Sequence, residues 1–163
     1  MSSELKEWNS QNAKWLLCSI GVVILDQLIK LIVRKTLIPY LPLKILPWLN
    51  FTLSFNSGTA FGFLNSQGAW AKWALIAFAV LIIGYLLIWI FQTEPFKNNL
   101  LCALTLILGG AVSNLIDRFW AGRVTDFISF HINTWYFATF NIADAAISVG
   151  ACILVILLLL KRD

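Results

Sequence analysis

The segment "TFNIADAAISVGACILVILLLL", Thr139–Leu160, is an almost continuous run of apolar residues. A helix needs about 20 such residues to cross the hydrocarbon core of a bilayer, and this run is therefore predicted to span a membrane. Asp144 stands about one turn inside the run, where an ionised carboxylate is costly. An acid in this position requires either a local structural partner or a function.

Four segments of the chain have this apolar character: residues 15–33, 69–91, 100–116 and 142–160. The chain is 60% hydrophobic and only 12% charged, whereas soluble domains carry about 25% charged residues. We therefore predict a membrane all-α fold with four transmembrane helices, forming one integral-membrane domain over residues 1–163. Residues 1–14 are expected to be a retained polar tail. Lys and Arg form no run of the kind that binds nucleic acid.

The two long connections, residues 34–68 and 117–141, are expected on one face of the membrane, opposite both termini. From Phe51 to Asn56 apolar and polar side chains alternate, and this period of two predicts a strand. Three preceding prolines discourage helix. We therefore predict a small β-sheet and a loop resting at the membrane surface. The tryptophans expected to form an interfacial belt on this face are Trp48, Trp70, Trp73, Trp120 and Trp135.

Polar residues are concentrated at the same end of the predicted spans. Asp26 and Lys30 are four residues apart and share a helix face, which favours an internal ion pair. Such a pair can also brace a functional site. In the third span, Asn114 shares a face with Asp117 and with Arg118 by the same spacing. Asp117 and Arg118 could alternatively form a charge pair at the membrane boundary.

Asp144 has a structural explanation that needs no chemistry. Asn141 is a good N-cap for the fourth span, which places Asp144 in the first turn, where the helix dipole favours a negative charge. This explanation does not extend to Asp126, which lies in a strand-like stretch with apolar neighbours. Two carboxylates that share a site cannot both ionise easily. The ionised acid can then take a proton from water while the protonated acid polarises a carbonyl group.

Such a pair would hydrolyse a peptide bond without a metal ion, a cofactor or a nucleophilic serine. The sequence contains one histidine, His131, and three cysteines, which lie in apolar runs and form no CxxC pair. We therefore predict neither a zinc site nor a disulfide framework. No metal and no cofactor are expected.

Five short motifs follow one another over nearly the whole chain: "DQLIK", "FNSGTAFG", "GGAVSNLIDR", "GRVTDFI" and "FNIADAAI". In this order the sequence resembles lipoprotein signal peptidase, also called signal peptidase II, a family of bacterial membrane aspartyl peptidases. The chain length and the four predicted spans agree with the family. Thr59 departs from the family pattern, which often has alanine at this position, and we expect the threonine to be tolerated.

The resemblance implies a role for the polar residues of these motifs. It makes Asp126 and Asp144 the catalytic pair. The residues that it implies to bind substrate or to support the site are Asn56, Gly58, Asn114, Arg118, Asn141, Asp26, Lys30 and Asp117.

The resemblance also implies a substrate and a location. The family removes the signal peptide from prolipoproteins by cleaving before a cysteine that already carries a diacylglyceryl group. We therefore expect diacylated prolipoproteins and membrane lipid as partners, no nucleic acid, and a monomeric enzyme. The family's orientation in the bacterial inner membrane places both termini in the cytoplasm. The active site and the small sheet, a cradle outside the cytoplasm, then lie at the periplasmic face.

Two other classes of protein would also carry acids in membrane helices. A proton-coupled transporter would place its acids near the middle of the spans and would show internal repeats, whereas these acids cluster at one interface. A non-catalytic scaffold would use every charge in a structural pair. It predicts that loss of Asp126 lowers stability and abolishes no specific activity.

Overall fold

The computed structural model describes residues 8–58 and 69–160. Within these ranges the helices are α1 (Leu16–Thr36), α2 (Ala69–Gln92), α3 (Asn98–Ala121) and α4 (Ile142–Leu159), and a short 3₁₀ helix (Ser10–Trp15) leads into α1. The strands in the same ranges are β1 (Leu43–Leu46), β2 (Leu49–Asn56), β3 (Val124–Ile132) and β4 (Trp135–Tyr136). Thr59 and residues 1–7 of the predicted tail lie outside the described residues.

Each of these four helices is long and apolar enough to cross a membrane, and the predicted fold class is confirmed. α3 is longer at both ends than the predicted span of residues 100–116. Its last turn includes the polar residues Asp117 and Arg118, which an apolar-run criterion leaves out. The helix ends at Gly122, whose φ of 71° provides a left-handed C-cap.

α3 lies at the centre of the bundle and packs against α1, α2 and α4. Its residues Leu101, Leu104 and Leu108 are buried together with Leu86 and Ile90 of α2. Many leucine and isoleucine side chains of α1, α2 and α4 are exposed on the outside of the bundle. A helix satisfies its own backbone hydrogen bonds and can therefore lie in hydrocarbon, provided that its outward-facing side chains are apolar.

Two glycines bring α3 and α4 into backbone contact. A Cβ atom on Gly110 would collide with the carbonyl oxygen of Ala143, and one on Gly150 would lie 2.6 Å from the carbonyl oxygen of Ala103. Small residues allow membrane helices to approach this closely. Because Ala143 precedes Asp144, Gly110 sets how near the first turn of α4 lies to α3.

The strands form an antiparallel sheet in the order β1-β2-β3-β4, at the end of the bundle where α1 and α3 finish. Leu53 of β2 and Phe127 of β3 are buried against Val33 of α1, which attaches the sheet to the helices. The register between β2 and β3 shifts between Phe51 and Ser54, so the ladder is locally interrupted there. Ser54 is the residue paired with Asp126.

The predicted strand around Phe51–Asn56 and the predicted small sheet are confirmed. β1 and β4 were not predicted, because β1 is an exposed edge strand flanked by Pro42 and Pro47 and β4 is very short. The five tryptophans of the predicted belt are all at least 50% exposed, as an interfacial belt requires.

Candidate active site

Asp126 and Asp144 come from different elements, and Asn141 contacts both. The side-chain nitrogen Nδ2 of Asn141 donates to Oδ1 of Asp126 at 2.7 Å. Its Oδ1 accepts from the backbone nitrogen of Asp144 at 2.8 Å, and its own backbone nitrogen donates to Oδ2 of Asp144 at 3.3 Å. The acid on β3 and the acid on α4 are therefore joined through one asparagine.

The contacts between Asn141 and Asp144 are a capping box at the start of α4. The predicted N-cap is thus confirmed. Asp144 also accepts a hydrogen bond from Nδ2 of Asn114 at 2.8 Å. These hydrogen bonds hold the carboxyl oxygens of Asp144 in place at the first turn of α4.

Asp126 has a different environment. It is only 2% exposed and lies between Thr125 and Phe127, which are also buried. The pKa of Asp126 is raised to about 6, because burial disfavours the carboxylate and because Asp144 adds a nearby negative charge. Hydrogen bonds from the side chains of Asn141 and Asn56 act in the opposite direction. The surroundings of Asp126 therefore favour its protonated form.

Asn114 of α3 connects this pair to the interior of the bundle. Its Oδ1 accepts from Nδ2 of Asn141 at 3.2 Å and from Nζ of Lys30 at 3.3 Å. An ammonium group can only donate. The amide atom of Asn114 that faces Lys30 must therefore be the oxygen. The Nδ2 group of Asn114 is consequently turned toward Asp144.

Asp26 and Lys30 form the ion pair that their spacing predicts, with Nζ of Lys30 2.6 Å from Oδ2 of Asp26. Both side chains are fully buried. The same Nζ lies 3.0 Å from Oδ2 of Asp117. Ser113 adds a hydrogen bond from Oγ to Oδ2 of Asp26 at 2.6 Å. Asp26, Lys30 and Asp117 therefore form one buried cluster beneath the two acids.

The predicted charge pair between Asp117 and Arg118 is wrong. Among the described residues, the cations paired with Asp117 are Lys30 and Arg34, each 3.0 Å away. Consecutive residues of a helix point in different directions, so Arg118 turns away from Asp117. Its Nη1 donates to the carbonyl oxygen of Asn114 at 3.4 Å, and its buried Nε has no hydrogen-bond partner among the described residues.

Arg118 lies within electrostatic range of Asp144 and Asp126 as well as of Asp117. Lys30, the other cation of the predicted set, also interacts electrostatically with Asp126. The role of Arg118 at the site stays a prediction.

Asn56 and Gly58 approach the site from the end of β2. The backbone nitrogen of Gly58 donates to Oδ1 of Asn56 at 2.8 Å. Gly58 has a φ of 81°, a conformation that side chains disfavour. Because Oδ1 of Asn56 is bound to Gly58, the side-chain nitrogen of Asn56 remains as a donor. Asn56 hydrogen-bonds to Asp126. All ten predicted site residues thus belong to one connected region.

Sequence reasoning missed four residues of this region: Gln27, Arg34, Ser113 and Thr125. Gln27 donates through Nε2 to Oδ1 of Asp117 at 3.2 Å. Arg34 could have been found, because it follows Lys30 by four residues and so lies on the same face of α1. Thr125 carries no comparable signal in the sequence.

Within the described residues, no group of three His, Cys, Asp or Glu side chains is arranged to hold a metal ion.

Comparisons with known proteins show the family and the fold of this chain. The profile of the family described as "Signal peptidase (SPase) II" matches residues 18–160. The lipoprotein signal peptidase of Coxiella burnetii is 44% identical over 146 residues, which cover 90% of each chain. That of Hydrogenovibrio crunogenus is 43% identical over 135 residues, covering 83% of this chain and 78% of its own.

A solved structure described as a bacterial membrane enzyme is similar with a TM-score of 0.82 and 28% sequence identity. It matches 98% of this chain and 100% of its own. The predicted resemblance is therefore confirmed over nearly the whole sequence. The chain belongs to the signal peptidase II family.

Proposed function

We propose that this protein is an aspartyl endopeptidase that removes the signal peptide from diacylglyceryl-modified prolipoproteins. The cut falls before the lipidated cysteine, and Asp126 and Asp144 are the catalytic pair. The observation that carries the proposal is the shared contact of both acids with Asn141. Family membership supports the substrate class.

The environments of the two acids support different roles in the reaction. Asp144, whose carboxyl group accepts hydrogen bonds at the start of α4 and from Asn114, takes a proton from the attacking water. Asp126, buried and raised in pKa to about 6, holds a proton and donates a hydrogen bond to the carbonyl oxygen of the scissile bond. The water oxygen bonds to the carbonyl carbon. As the C–N bond breaks, the leaving amine takes up a proton from the pair.

The surrounding polar residues support this chemistry without reacting. Asn56, Asn114, Arg118 and Asn141 orient the acids or the substrate, and Gly58 shapes the turn that presents Asn56. The charges of Asp26, Lys30 and Asp117 lie one layer further inside. A proton-coupled transporter is not favoured, because the acids lie at one end of the bundle and the family is a peptidase family.

Four helices that can cross a membrane, together with the family, make the chain a multi-pass membrane protein of the bacterial inner membrane. We propose that both termini are cytoplasmic and that the sheet and the acids lie at the periplasmic face. The substrate is anchored by lipid at that depth, so the acids must be held at the membrane boundary. The enzyme is proposed to act as a monomer.

The proposal is tested by reconstituting the purified protein with a diacylated prolipoprotein and following release of the signal peptide on a gel. Asp126→Asn and Asp144→Asn should each abolish release, because asparagine keeps the size of aspartate but cannot exchange a proton. Glu94→Gln, an exposed acid in the turn between α2 and α3, is the control and should cleave normally. Cleavage at the wild-type rate by either Asn variant would remove that carboxylate from the chemistry.

A further inference from the structure

Two backbone amides next to the proposed catalytic acids are each held by a buried carboxylate. The nitrogen of Thr125, the residue before Asp126, donates to Oδ2 of Asp117 at 2.9 Å. The nitrogen of Ala143, the residue before Asp144, donates to Oδ1 of Asp26 at 3.1 Å. Hydrogen bonds to an ionised acceptor are shorter and stronger than neutral ones. Both acids are therefore held through their neighbours in the chain.

One cation joins these two carboxylates. Nζ of Lys30 lies 2.6 Å from Asp26 and 3.0 Å from Asp117. All three side chains are at most 2% exposed. A buried charge that loses its partner is strongly destabilising, so the arrangement resists displacement. The distance between β3 and the start of α4 is therefore set from within α1 and α3.

Arg34 adds a second contact on the β3 side only. Its Nε donates to Oγ1 of Thr125 at 2.8 Å, and its Nη2 donates to Oδ1 of Asp117 at 3.0 Å. The guanidinium is a rigid planar fork that can serve two acceptors at once. Asp117 thus binds the backbone nitrogen of Thr125, and Arg34 binds its side-chain hydroxyl. We call these three residues the Thr125 clamp.

The clamp lies close to an irregularity in the pairing of β2 with β3. The register between β2 and β3 shifts between Phe51 and Ser54, beside the pairing of Ser54 with Asp126. A bulge of this kind disrupts the ladder and bends the strand. Thr125 itself pairs in register with Phe55, so the side-chain contacts to Thr125 add to the ladder on one side of Asp126, while the irregularity lies on the other side.

We infer that Arg34 and Thr125 are positioning residues for peptide cleavage, which hold β3 so that Asp126 meets Asn141 in the reactive arrangement. The inference rests on the proposed function, because it gives Asp126 a part in the reaction. Neither residue reaches the reacting atoms itself. A displacement of about 1 Å in a reacting group can lower the rate by about a hundredfold, so loss of the clamp should lower kcat and leave KM nearly unchanged.

The first test compares Thr125→Val with Thr125→Ser. Valine keeps the shape and the backbone amide but removes Oγ1, and kcat should fall by about tenfold or more. Serine keeps the hydroxyl and should restore kcat to within about threefold of wild type. Thr105→Val is the matched control, since Thr105 is a fully buried threonine whose hydroxyl bonds only to carbonyls of its own helix. It should leave kcat and KM unchanged.

The second test is a double-mutant cycle with Arg34→Lys. Lysine keeps the charge but is a point donor that cannot serve Asp117 and Thr125 together, so kcat should fall as it does for Thr125→Val. The double variant should be no slower than either single variant, because the two residues act through one contact. Additive losses, a rise in KM alone, or a serine variant as slow as the valine variant would each overturn the inference. Failure of wild-type protein to cleave would instead overturn the proposed function.

Discussion

Nδ2 of Asn141 lies 2.7 Å from Oδ1 of Asp126, so the residue that caps α4 is also a donor to the acid on β3. The same side chain accepts from the backbone of Asp144 through its oxygen. The side-chain oxygen of Asn141 therefore caps α4, and its side-chain nitrogen donates to the acid of the site. Asn141 couples the position of the helix start to the position of the strand.

The two uses of Asn141 can be separated by substitution. Serine is also a favoured N-cap, but it lacks the amide donor. Asn141→Ser should keep the thermal stability near that of wild type and lower kcat by about ten- to a hundredfold, because Asp126 loses the donor that positions it and a small displacement of a reacting group is costly. Asn141→Ala loses both uses and should in addition lose about 1 kcal/mol of stability. Wild-type kcat in the serine variant would show that the donor to Asp126 is unimportant.

The assignment of the resting proton to Asp126 can be measured by infrared spectroscopy of the unliganded enzyme. At about pH 5 the wild type should show a band from a protonated carboxyl group, since this lies below the raised pKa of Asp126, about 6. The band should be lost in Asp126→Asn and kept in Asp144→Asn. Because the pair titrates together, the two variants must be compared at the same pH. The opposite pattern would reverse the roles of the two acids.

The raised pKa of Asp126 also predicts how stability varies with pH. An unfolded aspartate has a pKa near 3.8, whereas folded Asp126 keeps its proton up to about pH 6, so the folded state binds this proton more tightly. The resulting contribution is present in full below about pH 3.8 and is lost as the pH rises through about 6. The difference between the two pKa values corresponds to about 3 kcal/mol.

Asp126→Asn should remove this dependence on pH. The melting temperature of wild type in detergent should fall between about pH 4 and pH 7 more than that of the Asn variant. Above about pH 6, where wild type holds a buried charge, the variant should be the more stable of the two. Glu94→Gln, at an exposed position, should follow the wild-type curve. Parallel curves for wild type and Asp126→Asn would contradict the perturbed environment of Asp126.

The close contact at Gly110 should be required for activity. Alanine at this position meets the backbone carbonyl of Ala143, so the first turn of α4 must move and take Asp144 away from Asn114. We expect Gly110→Ala to cost about 1–3 kcal/mol of stability and to lower kcat by at least about tenfold. Gly84→Ala in α2 has no atom within 4 Å to meet and should have neither effect. Equal activity of the two variants would contradict this account of helix packing.

Much of the architecture follows from local properties of the chain. An apolar run of sufficient length can satisfy its backbone inside a bilayer only as a helix, which is why the four spans could be predicted. The alternation from Phe51 to Asn56 and the cap at Asn141 are likewise local, because they depend on neighbours along the chain. The ion pair of Asp26 with Lys30 belongs to the same class, since both lie on one helix face.

The partners of Asp117 could not be predicted in this way. Sequence proximity suggested Arg118, whereas the structure pairs Asp117 with Lys30 and Arg34 of another helix. The contact of Arg34 with Thr125 has the same origin, since it joins residues that are 91 positions apart in the sequence. Contacts of this kind depend on how helices and strands pack, and packing is decided by shape at positions such as Gly110. Sequence alone determined which residues are polar and near the membrane boundary; only the tertiary structure decided which of them touch.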